Sequence, residues 1–134
     1  MFTYFEFHDS QLTVLEEEAD RCIVELHPAY VHQSDGRPGI DPGEGFWQNI
    51  RIVITGARLR KPDLRLPCPI ADGYLTVGDI RVSTIVPTVL RKGGCVSLKI
   101  QPMDAAGEVE IEGIGIEVQP ISEPQGFETF PGVE

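Results

Sequence analysis

From Ile50 to Leu59, and again from Val109 to Val118, apolar side chains fall on every second residue, and in both stretches the phase changes at a glycine. Ile52 and Ile54 give way after Gly56 to Ala57 and Leu59; Val109 and Ile111 give way after Gly113 to Ile114, Ile116 and Val118. Successive side chains on a strand point to opposite faces, so a period of two marks a strand with one buried face. One extra residue at a β-bulge reverses the phase while keeping the apolar set on the core side. Val96, Leu98 and Ile100 alternate in the same way, and Tyr74–Val82 and Thr84–Leu90 read as shorter strands. The two glycine-interrupted strands differ in the sign of their polar positions, Arg51, Arg58 and Arg60 against Glu110, Glu112 and Glu117. Neighbouring strands of one sheet and an internal duplication both produce such a pattern. With only two copies, ordinary bulged strands suffice.

The 134 residues include 14 glycines and 11 prolines, a density of chain-turning positions that disfavours a helical bundle. The pattern predicts an all-β fold: a single-domain antiparallel β-sandwich or flattened barrel of about eight strands, with at most one short helix. Residues 1–118 form the domain, with a Gly/Pro-rich loop at 33–45. Arg91-Lys92-Gly93-Gly94 and Asp104-Ala105-Ala106-Gly107 supply hairpin connections. The tail, 119–134, carries Pro120, Pro124 and Pro131 and is expected to be extended and outside the sheet. Residues 12–26 admit two readings. Leu12, Leu15, Ala19, Cys22, Ile23 and Leu26 fit a helical stripe; Leu12/Val14 and Cys22/Val24/Leu26 fit two strands turning at Ala19-Asp20. The β-branched Thr13, Val14, Ile23 and Val24 favour the hairpin.

The formal net charge is −10. Such a surface repels phosphate backbones and anionic lipid, so neither nucleic acid nor a membrane is the expected partner. The charge is unevenly spread. Residues 1–50 hold ten acids and two bases, 51–100 three acids and nine bases, and 101–134 eight acids and no base. A basic middle between acidic flanks either neutralises internally across strands or leaves a dipolar surface that steers a basic partner.

Cys22, Cys68 and Cys95 are odd in number, widely spaced and without a C-x-x-C, which is neither a disulfide framework nor a zinc ribbon. Cys22 and Cys95 border apolar runs and read as core residues, while Cys68 sits in a loop between Pro67 and Pro69. This cysteine usage suits a reducing cytoplasm. The N-terminus lacks the basic and uninterrupted apolar regions of a signal peptide, and no run approaches a membrane span.

His8, His27 and His32 with Asp9 form the one metal-like set. A spacing of five places His27 and His32 on opposite faces of a continuous strand, which Pro28 or a bulge has to correct. No H-E-x-x-H is present, and no cofactor is implied. His8-Asp9-Ser10 has the residue types of nucleophilic catalysis, but adjacent strand residues point apart and no G-x-S-x-G elbow exists, so a turn explains the trio better. Asp35, Asp41 and Glu44 lack the alternation of a calcium loop. Arg58, Arg60 and Arg65, interleaved with Leu59 and Leu64, suit a protein interface. Phe46 and Trp47 follow the Gly/Pro-rich loop as a core pair or an interface anchor.

Phe7-His8-Asp9-Ser10-x-Leu12, followed by a hairpin pattern and Ile52-x-Ile54-x-Gly56-Ala57-x-Leu59, resembles a group of small, mostly uncharacterised bacterial all-β proteins that open with Phe-His-Asp-Ser/Ala and a leucine. The resemblance covers roughly the first sixty residues. Some members look like immunity proteins of toxin systems. It implies an all-β fold and a toxin-neutralising or accessory role, and it offers no established catalytic residue to carry over. The expected function is therefore non-catalytic binding of another protein, with Phe46, Trp47, Arg58, Arg60, Arg65, Glu110 and Glu112 as interface candidates. The other readings are a metal- or small-ligand-binding barrel, possible as an enzyme, through His8, His27 and His32, and a homo-oligomer through a strand edge.

Overall fold

A computed structural model of the chain describes residues 1–79 and 83–133. Among these residues are ten strands and no helix: β1 (Phe2–Glu6), β2 (Gln11–Glu18), β3 (Arg21–Ser34), β4 (Gly43–Thr55), β5 (Arg58–Arg60), β6 (Cys68–Val77), β7 (Ile85–Pro87), β8 (Leu90–Pro102), β9 (Val109–Pro120) and β10 (Gln125–Phe130). Every pairing is antiparallel. The path β4-β9-β8-β6-β2-β3 returns to β4, so six strands close into a barrel. The joint between β2 and β6 is short, Gln11 opposite Pro69 and Leu12 opposite Cys68. Four further strands extend it: β5 on β9, β10 on β4, β1 on β3 and β7 on β1. In place of the expected sandwich or flattened barrel of about eight strands, the fold is a closed six-stranded barrel with four added strands, because closure and extension leave few unpaired edges.

β3 and β4 run together as one long ribbon, paired from Arg21↔Thr55 to Gln33↔Glu44. On one side the ribbon is flanked first by β2 and then by β1; on the other, first by β9 and then by β10. Its inner face carries Cys22, Val24, Leu26, Ala29 and Val31 opposite Ile54, Ile52, Ile50 and Phe46, all buried in one cluster with Phe5, Phe7, Ile70, Leu98, Ile100 and Ile111. Removing such side chains from water contributes roughly 2 kcal/mol each.

The stretch 12–26 is the hairpin, with Leu12 opposite Leu26 and Glu18 opposite Arg21. The two phase changes are side by side. From Thr55↔Gly115 to Arg58↔Glu112 both strands advance three residues, so the interruptions at Gly56 and Gly113 keep the register. Gly56 has φ of 59°, and a Cβ there would lie 2.6 Å from Cγ1 of Ile114. The sign difference follows from the same neighbourhood: Arg58 faces Glu112, and Arg60 faces Glu110, which also faces Lys99. Cross-strand neutralisation explains the charge blocks in this region.

Several expectations are corrected. Arg91 to Gly94 lies inside β8, where a register shift between Gly93 and Val96 forms a bulge rather than a hairpin turn. Cys95 is exposed in that bulge, whereas Cys68 begins β6 and is buried. β3 reaches Ser34 and β4 starts at Gly43, so the Gly/Pro-rich loop is shorter than 33–45. The tail is not outside the sheet: Gln125 pairs with Trp47 and Phe130 with Gly43. It also ties down the loop, through the Val133 N–H donating to the Ile40 carbonyl at 2.7 Å. The end of the expected strand Tyr74–Val82 lies outside the described residues.

Candidate functional site

Beside the unbroken β4 the neighbouring strands lose their regularity at three places on one level, and a crease runs across them. Between β1 and β2 the chain turns at Phe7–Ser10, closed by the Ser10 N–H on the Phe7 carbonyl at 3.0 Å. In β3 the register with β4 shifts between Leu26 and Ala29, so His27 and Pro28 together face Asn49. Between β9 and β10 the chain spends two extra residues passing from Pro120, opposite Ile50, to Gln125, opposite Trp47. Prolines at 28, 120 and 124 cannot donate to the ladder, which is the local reason for breaks at these points.

Each break is held by polar groups. The Ser10 hydroxyl donates to the Glu6 carbonyl at 2.5 Å and accepts the Tyr30 N–H at 3.2 Å. The Ile70 N–H donates to the Ser10 carbonyl at 3.0 Å, and His8 donates from Nδ1 to the Ala71 carbonyl at 3.0 Å. On the far side the Asn49 N–H donates to Ser122 Oγ at 2.8 Å, Gln48 donates from Nε2 to the Ser122 carbonyl at 2.9 Å, and the Ile121 N–H reaches the Asn49 carbonyl at 2.8 Å. Ser10 is 2 % exposed and fully engaged, so its hydroxyl acts as a joint between strands.

Two clefts occupy the crease and share Pro28 and Trp47. One, about 370 Å³, is lined by Asp9, Ser10, Gln11, Pro28, Trp47, Pro69, Ile70 and Met103. The other, about 300 Å³, continues past Trp47 to Gln48, Asn49, Ser122, Glu123 and Gln125, with His27 at its side. Trp47 is half-buried at the middle, its ring edge-on to Tyr30 at 4.7 Å. Asp9 and Glu123 are the acids lining the clefts, and no Lys or Arg lines either one. Asp9 has φ of 68°, a left-handed backbone that Asp and Asn tolerate better than most residues.

The structure divides the aromatic pair. Phe46 is core, 3 % exposed, opposite Val31, while Trp47 reaches the surface. Large side chains at adjacent strand positions face opposite ways. Arg58 and Arg60 stand opposite Glu112 and Glu110 across β5 and β9, Arg60 lying 3.9 Å from Glu110. Arg65 is exposed in the β5–β6 connection, beside a separate cleft with Leu64, Pro67 and Asp104. These residues therefore do not form one patch with Trp47.

The three imidazoles do not converge. The bulge at His27–Pro28 does bring His27 and His32 to the same face, but each finds its own carboxylate. His27 Nε2 lies 2.8 Å from Glu25 Oε1, and Arg51 Nε donates to Glu25 Oε2 at 2.7 Å. Burial alone would raise the Glu25 carboxyl, yet the hydrogen bonds from Arg51 and His27 outweigh it and hold the group below its ordinary value. His32 is buried, with Nε2 3.3 Å from Glu6 Oε2 and its ring edge-on to Tyr30 and Phe130, both at 5.0 Å. His8 is exposed; its bond to the Ala71 carbonyl and the Asp9 charge 3.5 Å away raise its pKa. Among the described residues no group of three or more His, Cys, Asp or Glu side chains is arranged to hold a metal ion.

Sequence reasoning placed Asp9, Ser10 and Trp47 among residues of interest but missed Asn49, Ser122, Glu123 and Gln125. The signal was present in Pro120 and Pro124, which bracket an interruption. Compared with known protein families, with curated proteins and with solved structures, the chain matches none. Among the described residues no helix is long and apolar enough to cross a membrane.

Proposed function

We propose that the protein is a non-catalytic binding domain that holds a basic segment of another protein along the crease. The observation that carries this reading is Trp47 standing between two adjoining clefts with Asp9 in one, Glu123 in the other and neither Lys nor Arg lining them. Interfaces centre on aromatic anchors in partly desolvated pockets, with polar groups around them. The amides of Gln48, Asn49 and Gln125 suit hydrogen bonds to an extended backbone, and the net charge of −10 accelerates encounter with a positive partner. Toxin neutralisation, or an accessory role of the same kind, is the specific form implied by the resemblance at Phe7-His8-Asp9-Ser10. A reducing cytoplasm is the compartment that three free thiols suit. Self-pairing through a strand edge is less favoured, since β5, β7 and β10 are short edges of 3, 3 and 6 residues.

The test is capture from the source cytosol on immobilised protein at low salt, run in parallel with Trp47→Ala and Glu123→Lys. A polypeptide retained by the wild type, lost from both variants and released as screening increases supports the reading. A retained protein indifferent to both substitutions, or no retention at any ionic strength, overturns it.

A further inference from the structure

Resting on the reading of the crease as a polypeptide-binding surface, the geometry points to the Asp9–Trp47 cleft as a pocket for one arginine side chain of the partner. It is lined by the apolar Pro28, Pro69, Ile70 and Met103 and by the aromatic Trp47, and its one acidic lining residue is Asp9. Arginine has this chemistry in reverse: an apolar three-carbon stem, then a planar cation that stacks on an aromatic face and takes a carboxylate through two parallel hydrogen bonds. Met103, 57 % exposed at the rim, is a flexible apolar wall able to close on such a stem.

The placement of Asp9 is built by the fold. Its left-handed backbone sits at the top of the Phe7–Ser10 turn, and both neighbours are pinned: His8 to the Ala71 carbonyl and Ser10 to Glu6, Tyr30 and Ile70. The turn itself would accept Asn or Gly at this position, so the backbone does not account for a charge there. The carboxylate's ionic neighbour among the described residues is His8, at 3.5 Å, and both side chains are more than half exposed. An exposed pair at that distance holds the carboxylate weakly, leaving it able to exchange His8 for a bidentate guanidinium. A mononucleotide or an acidic peptide meets like charge in this cleft.

The chain contains one tryptophan, so one indole N–H resonance reports directly on the pocket. Isotope-labelled protein is titrated with the capped tripeptides acetyl-Gly-Arg-Gly-amide, its citrulline counterpart, which has the same shape without the charge, and its lysine counterpart. A single side chain is expected to bind with Kd of about 1 mM. The arginine peptide should shift the Trp47 indole saturably, the citrulline peptide should not, and lysine should bind several-fold more weakly. Asp9→Asn, which keeps the left-handed turn, should weaken the arginine peptide about tenfold, the equivalent of roughly 1.4 kcal/mol. Met103→Ala, at the exposed rim, should weaken it less and without altering the arginine-over-citrulline preference. Equal shifts with citrulline, no shift up to about 10 mM peptide, or an Asp9→Asn protein that binds as the wild type does would each overturn the pocket. If those results came with a captured partner that still required Trp47, the binding function would stand and only the arginine assignment would fail.

Discussion

The phenol of Tyr30, in the middle of β3, donates a hydrogen bond to the carboxylate of Glu128, in β10 near the end of the chain. Gly45 lies between them in the ladder, opposite both His32 and Glu128. A Cβ at Gly45 would come within 1.9 Å of the Tyr30 oxygen, so the bare backbone of β4 is the gap through which the two side chains meet. Burial, and then the bond to Glu128, push the Tyr30 phenol well above its usual range.

Tyr30→Phe removes this tie and leaves Glu128 with solvent. A hydrogen bond to a charged group contributes about 1.5 kcal/mol or more, so amide exchange in Gln125–Phe130 should speed up about tenfold while the barrel strands are unchanged. Mass-spectrometric hydrogen exchange measures it. Uniform acceleration across β8 and β9 would mean that the bond supports the whole fold instead.

Glu25 supplies a pH dependence with a definite sign. Its folded pKa is depressed, so its contribution is fully present above the unfolded value, about 4.3, and is lost as the pH falls through the folded one. Glu25→Gln should be less stable than the wild type by about 1–3 kcal/mol at pH 7. The gap should be smaller at about pH 3.5, below the unfolded value. Urea midpoints at both pH values report it, and a gap independent of pH would contradict the assignment.

The three thiols should differ in reactivity. Burial pushes Cys22 up to about 11, with Glu17 adding to the shift, and Cys68 is raised by burial as well, whereas Cys95 is exposed. A thiolate, not a thiol, attacks, so a disulfide reagent should label one cysteine rapidly in the native protein and three in denaturant. Rapid labelling of Cys22 in native protein would show that the β3–β4 ribbon opens.

Glu110→Lys with Glu112→Lys reads the fold before any complex. The new lysines would face Arg58, Arg60 and Lys99, and like charges directly opposite are unfavourable by a few tenths of a kcal/mol per pair. The double variant should lose about 1 kcal/mol, with the loss shrinking in high salt. Thermal melts at two ionic strengths test this; equal melting temperatures at both would remove cross-strand pairing as the explanation of the charge blocks.

At Gly56 the combination of positive φ and the Ile114 side chain makes Gly56→Ala doubly unfavourable, through backbone strain and crowding. A loss of about 1–3 kcal/mol in chemical denaturation is expected.

How much of this was legible in the residues follows from the range of the interactions. Alternation every second residue, the turn at Ala19-Asp20 and the phase changes at Gly56 and Gly113 depend on which way successive side chains point, a property of a few adjacent residues. They announced strands, interruptions at two glycines and a mostly β chain. That Arg58 and Arg60 stand opposite Glu112 and Glu110 was readable only as one of two outcomes, since charge pattern names candidates for pairing but no register. The crease was not readable. It exists because a turn at Asp9, a bulge at Pro28 and a break at Ser122 come to one level beside the unbroken β4, and that level is set by hydrogen-bonded register between segments about a hundred residues apart. The same long-range register separated Phe46 from Trp47, carried the C-terminal strand onto β4, and kept the three histidines on three different carboxylate or carbonyl partners. Local periodicity specifies the material of the barrel, whereas the alignment of its irregularities, which makes the surface, arises only when the strands pack together.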